Sequence, residues 1–219
     1  MSTLGEVDAE QSLKSQVARG AAWSGLSTIV LRLGSLVVGV VLARLLTPEQ
    51  FGVYAIALTA QSILMVVADF GLSADLVRTK DPDRIAPTIA TLALVTGAVS
   101  TAVAFFTSAL LADLLGSAEA APSIAVLSFT LLLGGASIVP YAYLLRRFQQ
   151  RELLWIGIAD FTVSTIVTIA LVLAGLGPLS LAIGRVAAQA TSSALQFAFA
   201  RVRPRYRIDR SVEIGRAHV

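Results

Sequence analysis

The stretch STIVLRLGSLVV, residues 27–38, sets one guanidinium, that of Arg32, among apolar and small residues. No acid lies within the run to neutralise it. The run extends in both directions to about residues 22–46. That length meets the requirement of roughly 20 mainly apolar residues for one helical crossing of a bilayer. A fixed charge at mid-depth costs about 2.5–3.5 kcal/mol on insertion scales, so it calls for a partner, water or a ligand. This one stretch therefore raises both questions at once: lipid as the solvent, and something charged to meet the arginine.

The rest of the chain carries the same signature. It is 56% hydrophobic and 14% charged, against a charged share of roughly 25% in soluble domains. Six apolar segments follow one another, near 22–46, 51–76, 85–112, 120–145, 153–175 and 178–200. In lipid only helices and closed barrels satisfy their own backbone polar groups, and the alternating strands of a barrel, roughly ten residues each, are absent. Breakers separate the segments: Thr47-Pro48, Asp81-Pro82 and Gly175-Leu176-Gly177-Pro178. The expected fold is all-α, a polytopic membrane protein of six transmembrane helices. Residues 1–20 read as a cytoplasmic N-terminal segment, 21–200 as the six-helix transmembrane region, and 201–213 as a basic cytoplasmic tail or linker. The polar first 20 residues and the long run after them do not fit a cleavable signal. Without cysteine there is no disulfide framework, thiolate metal site or thiol nucleophile.

Lys and Arg divide by side. Lys14 and Arg19, then Arg78, Lys80 and Arg84, then Arg146, Arg147 and Arg151, then Arg201, Arg203, Arg205, Arg207 and Arg210 fall on one side, against Arg44 on the other. Cytoplasmic loops collect such residues, so both ends are expected in the cytoplasm and the chain in the inner (cytoplasmic) membrane. The basic tail reads as a contact for anionic lipid headgroups rather than for nucleic acid.

Polar residues recur inside the segments at helical spacing. Ser24, Thr28, Arg32 and Ser35 share one face of the first segment, and Arg185, Gln189, Ser192 and Gln196 one face of the sixth. Asp160, Ser164 and Thr168 align in the fifth, and Gln61 and Asp69 lie eight apart in the second, with Asp75 beyond. Two readings fit. Arg32 and Arg185 pair with Asp69 or Asp160 and lock helices together, or the polar faces line a hydrated, cation-bearing cavity suited to an anionic cargo such as a phosphate. On the second reading Arg32, Arg185, Gln189, Thr28 and Ser24 bind substrate, and Asp69 and Asp160 are ion-coupling or ion-pair candidates. Ser35, Gly39 and Ala43 form a small-residue stripe that reads as helix packing, and Pro140 as a static kink. There is no phosphate-binding Gly-rich loop of the GxxxxGK[ST] kind and no hydrolase or metal-ligand motif, so neither an enzyme nor a cofactor is expected.

Four stretches together, VARGAAWSGLS (17–27), LARLLTPEQFGVYAIAL (42–58), ADFGLSADLVR (68–78) and PYAYLLRRFQQRELLWIGIAD (140–160), resemble the oligosaccharide flippases of the multidrug/oligosaccharidyl-lipid/polysaccharide exporter superfamily. The resemblance implies one lobe of a two-lobe flippase. Its cargo would be a lipid-linked oligosaccharide (a polyprenyl-pyrophosphate glycan), moved across the membrane for cell-surface polysaccharide synthesis. The partners implied are that cargo, membrane lipids and a missing C-terminal lobe. A drug/cation antiporter of the same superfamily, or a structural membrane assembly protein, is the alternative. The family carries twelve or more spans, and Ile214-Gly-Arg-Ala-His-Val219 can be encoded by a string resembling a sequencing adapter. Residues 214–219, His218 included, are therefore expected to be a non-native end of a truncated chain.

Overall fold

The structure, a computed structural model, describes residues 32–69 and 82–202, and every regular element among them is helical. α1 is helical over its described residues 32–45, followed by α2 (Pro48–Asp69) and α3 (Pro82–Phe106). Then come a short α4 (Ser108–Leu114), a 3-10 turn (Ala118–Ala120), α5 (Ala121–Arg146), α6 (Gln150–Leu173) and α7 (Pro178–Ala200). The expected sites Ser24, Thr28 and Asp75, residues 1–20, the charges at 78 and 80, and residues 203–219 with His218 lie outside the described residues.

Local chemistry explains the boundaries. α2 opens on a reciprocal cap: the Thr47 N–H donates to Gln50 Oε1 at 3.1 Å and the Gln50 N–H to Thr47 Oγ1 at 3.4 Å. Each side chain thus satisfies an N–H that a helix start leaves open, and Pro48 fills the first helical position, where no N–H is needed. The same turn holds the Glu49 carboxyl below its usual range, through its own backbone N–H and the Thr47 hydroxyl. The third apolar segment divides at Thr107, instead of running unbroken to residue 112 as expected. Thr107 Oγ1 and Ser108 Oγ donate back to the Val103 and Phe105 carbonyls at 2.6 and 2.9 Å, a local competition that bends or ends helices.

Three helices end on the same pair of backbone bonds, six-to-one and five-to-two, around a left-handed residue. After α4 the bonds are Ser117 N–H to Ala112 O and Gly116 N–H to Asp113 O; after α6 they are Leu176 N–H to Leu171 O and Gly175 N–H to Val172 O. Gly116 and Gly175 have φ of 86° and 87°, which only glycine adopts without strain. After α5 the bonds are Gln149 N–H to Leu144 O and Phe148 N–H to Leu145 O, and the left-handed residue is Phe148, φ 51°.

α5 is the hub. It packs along α3 on one side and α7 on the other, with α2 in the crook between α5 and α7, while α6 lies chiefly on α7. α1 meets this group through Gly34, whose Cα faces the Phe161 ring of α6, and through Leu42 and Leu46 against Leu181 of α7. The buried positions are mostly small, among them Ala57, Ala93, Ala104, Ala142, Ala182 and Ala188. Small residues let helix backbones approach within lipid, where burial of apolar groups gives no drive for association. The large apolar side chains point outward instead: Val66 is 78% exposed and Phe106 83%, with Leu36, Ile63, Leu110 and Leu173 alike. Water would not tolerate so much apolar surface on a monomer; hydrocarbon does.

Among the described residues three helices are long and apolar enough to cross a membrane: Arg84–Phe106, Ala118–Arg146 and Gln150–Leu173. α7 falls short because Arg185, Gln189 and Gln196 interrupt it. The stripe Ser35, Gly39 and Ala43 does not pack as the sequence suggested. All three are exposed and nothing stands within 4 Å of where a Gly39 Cβ would be, because α1 turns Gly34, Val38, Leu42 and Leu46 inward. Pro140 sits fully buried inside the continuous α5.

The tight crossing of α3 and α5 gives a test. A Cβ on Gly97 would stand 2.7 Å from Leu131 O, and one on Gly135 would collide with Ala93 O, whereas Gly134 faces open space. Gly97→Val or Gly135→Val is expected to destabilise the helix bundle by about 1–3 kcal/mol, the usual cost of overpacking. Gly134→Val should change it little, and thermal unfolding in detergent distinguishes the three.

Candidate functional site: a polar seam between α6 and α7

The polar stripe of α6 and that of α7 meet in a single antiparallel register. Ser192 Oγ donates to Asp160 Oδ1 at 2.8 Å. Eight residues further along α6, and eight back along α7, Gly184 sits so close to Thr168 that a Cβ would collide with Thr168 Oγ1 and stand 3.1 Å from Ser164 O. Both helices turn the same face for two turns and more, since residues four and eight apart share a face. Asp160, Ser164 and Thr168 therefore face α7.

Arg185 joins this seam from the exposed edge. Its Nη1 lies 3.7 Å from Asp160 Oδ2, with side chains 45% and 26% exposed. The register places Arg185 about 10 Å along the axis from Asp160 at 1.5 Å per residue, so the arginine lies along α6 to reach it. Tyr54 of α2 packs against the Leu42, Leu46 and Leu181 cluster, one turn of α7 from Arg185. Of the two carboxylates suggested for Arg185, the structure provides Asp160; Asp69 is the last residue of α2.

Gln189 and its neighbours tie α7 to the hub. Gln189 Nε2 donates to Ser193 Oγ at 3.5 Å, and Ser193 Oγ lies 3.2 Å from Ser137 Oγ and 3.3 Å from Leu133 O of α5. Two further bonds fasten other helices to α5. Gln61 Nε2 of α2 donates to Thr130 Oγ1 at 2.5 Å, and Thr101 Oγ1 of α3 donates to Ser128 O at 2.9 Å. Two of these α5 partners, Thr130 and Ser137, lie seven apart in the sequence and are both buried, the spacing of a helix seam.

Arg32 stands elsewhere. It is exposed, and among the described residues its guanidinium has no carboxylate partner. At 3.6 residues per turn it lies roughly opposite Gly34, the residue of α1 that meets Phe161. Arg32 thus shares the uncovered face of Ser35, Gly39 and Ala43, and the structure does not bring it to Arg185 or Asp160. No group of three or more metal-ligating side chains occurs among the described residues.

The seam makes a measurable claim. The Asp160–Ser192 hydrogen bond is expected to show a coupling of about 0.6 kcal/mol in a double-mutant cycle, the usual interhelical value in membranes. The longer Asp160–Arg185 pair should couple within the same interhelical range, at most about 1.7 kcal/mol. Unfolding in detergent of Asp160→Asn, Ser192→Ala, Arg185→Gln and the double variants measures both.

Comparison with known proteins places this helical arrangement. A family described as "Polysaccharide biosynthesis protein" matches residues 41–214. The lipopolysaccharide biosynthesis protein WzxC of Escherichia coli (strain K12) is 28% identical over 143 residues, covering 65% of this chain and 28% of that protein. The succinoglycan biosynthesis transport protein ExoT of Rhizobium meliloti (strain 1021) is 31% identical over 167 residues, covering 75% of this chain and 34% of that protein. The chain therefore spans about a third of the length of the curated relatives it matches. No solved structure matches it. With its outward apolar side chains and membrane-length helices, this chain belongs to the polysaccharide biosynthesis protein family.

Proposed function

We propose that this chain is the N-terminal six-helix lobe of a two-lobe flippase that moves a lipid-linked oligosaccharide across the cytoplasmic membrane for polysaccharide export. The observation that carries this reading is the match to a named transport protein, ExoT, along three quarters of this chain but one third of that protein. A second lobe would account for the remaining length and for the uncovered face of α1. On this reading α1 and α2 join the three membrane-length helices and α7 as the six spans, and both termini face the cytoplasm.

Arg32 is then the cavity residue. It lies on the uncovered face of α1, away from α6, where a facing lobe and a hydrated cavity would stand. Its planar fork can donate two parallel hydrogen bonds to a pyrophosphate, which a lysine, acting as a point charge, reproduces only in part. Arg185 has a different role. Its contact with Asp160 favours the helix-locking reading for that arginine, leaving Arg32, which has no carboxylate partner among the described residues, to meet the cargo.

Glycan export by the complete protein in a cell lacking its own exporter tests this. Arg32→Ala is expected to remove nearly all export and Arg32→Lys to retain part, at equal protein level. Normal export by Arg32→Ala would remove the cavity role. The 219-residue chain alone should not restore export, because its cargo path would have one wall; restoration by that chain would overturn the single-lobe reading.

A further inference from the structure

One end of the bundle gathers arginines and exposed aromatic rings. The start of α3, the end of α5, the start of α6 and the end of α7 converge there: Val202 and Ile85 of α3 both pack against the cluster of Ala86 from α3 and Tyr143 from α5, and Ala200 clusters with Leu144 of α5 and Ile156 of α6. Arg84, Arg146, Arg147, Arg151 and Arg201 all stand at this end, and Asp83 and Glu152 are its acids among the described residues. The charge is therefore strongly positive in one place.

The arginines do not have equal freedom. Arg147 Nη1 donates to Ala200 O, the last carbonyl of α7, at 2.9 Å, and its guanidinium lies 5.3 Å from the centre of the Tyr143 ring. Arg147 is thus held by the fold. Arg151 and Arg201 are exposed, and among the described residues neither pairs with a carboxylate. Arg201 itself is left-handed, φ 50°, as it leaves α7.

The aromatic side chains mark a depth. Phe148 is 81% exposed and Trp155 54%; Trp155 lies five residues inside α6 and Phe148 in the turn before it. Phe148 occupies the left-handed cap position that Gly116 and Gly175 fill at the ends of α4 and α6. Glycine would hold that backbone without strain; a phenyl ring there adds an outward anchor. Tryptophan rings settle at the headgroup level of a bilayer, and Trp155 at that level sets the arginines beside lipid phosphates.

We propose that this basic end is a binding site for anionic phospholipid headgroups, with Arg151 and Arg201 meeting the phosphate and Phe148 and Trp155 seated among the adjoining chains. Charge decides the class of lipid. Basic pockets between membrane helices on the cytoplasmic side bind anionic headgroups, and each Lys or Arg near the surface favours such lipid about fivefold. A zwitterionic headgroup offers the same phosphate with a cation attached, which this cluster repels. The proposal rests on the membrane location alone and is independent of the cargo.

The test uses the full chain with Trp23→Phe, so that Trp155 is the remaining tryptophan of the 2 in the sequence. Reconstituted in phosphatidylcholine vesicles, it is titrated with brominated phosphatidylglycerol or brominated phosphatidylcholine at equal mole fraction, and Trp155 quenching reports which lipid stands beside it. Phosphatidylglycerol is expected to quench several-fold more effectively. That preference should drop about fivefold for each arginine lost in R151Q and R151Q/R201Q, and should weaken in high salt. Equal quenching by the two lipids, or a preference that survives both the double variant and high salt, overturns the proposal. The salt titration of the unsubstituted arginines decides the matter should R151Q/R201Q fail to fold.

Discussion

Close approach of helix backbones is the constraint on which the rest of this structure depends. Gly97 and Gly135 bring α3 onto α5, and Gly184 brings α7 onto α6 at Thr168. In lipid the helices gain nothing by hiding apolar groups from one another, so van der Waals contact between near-bare backbones and a few hydrogen bonds must hold them. The buried alanines, serines and threonines follow from that need, and so do the leucines, valines and phenylalanines left facing outward. Were the small residues large, α5 could not touch α3 and α7 at once, and the hub would open.

The same proximity makes the polar seam possible. Ser192 reaches Asp160 because Gly184 lets α7 lie against Thr168 eight residues away. Arg185 then lies along α6 to the same carboxylate, so one acid meets a hydroxyl and a guanidinium. An ion pair near the middle of a membrane helix is less costly than a lone charge. Arg32 differs in having no described carboxylate beside it, and it stands on a face that the described helices leave bare. Two arginines that look alike in the sequence thus part company in space, one held between α6 and α7 and one on the exposed face of α1.

Much of the architecture was legible before any coordinates. Helix positions follow from apolar run length and from breakers such as Thr47-Pro48 and Gly177-Pro178, because lipid forces each run to bond its own backbone. α7 begins and ends where the sixth segment did, at residues 178 and 200. The break at Thr107 was not legible, because hydrophobicity runs through it and the competing hydroxyl bonds are local. Periodicity also placed Asp160, Ser164 and Thr168 on one face correctly, yet could not name the helix they face.

What the sequence by itself determined is the solvent, the helical class, the family and the residues that share each helix face. These depend on composition and on a 3.6-residue period, both intrinsic to one segment. Only the tertiary structure decided that Arg185 meets Asp160 through an α6–α7 register and that Ser35, Gly39 and Ala43 stay uncovered. It likewise decided that Arg147 closes the end of α7. Partnership between helices depends on which small residues happen to align at a crossing, and that alignment is a property of two segments at once.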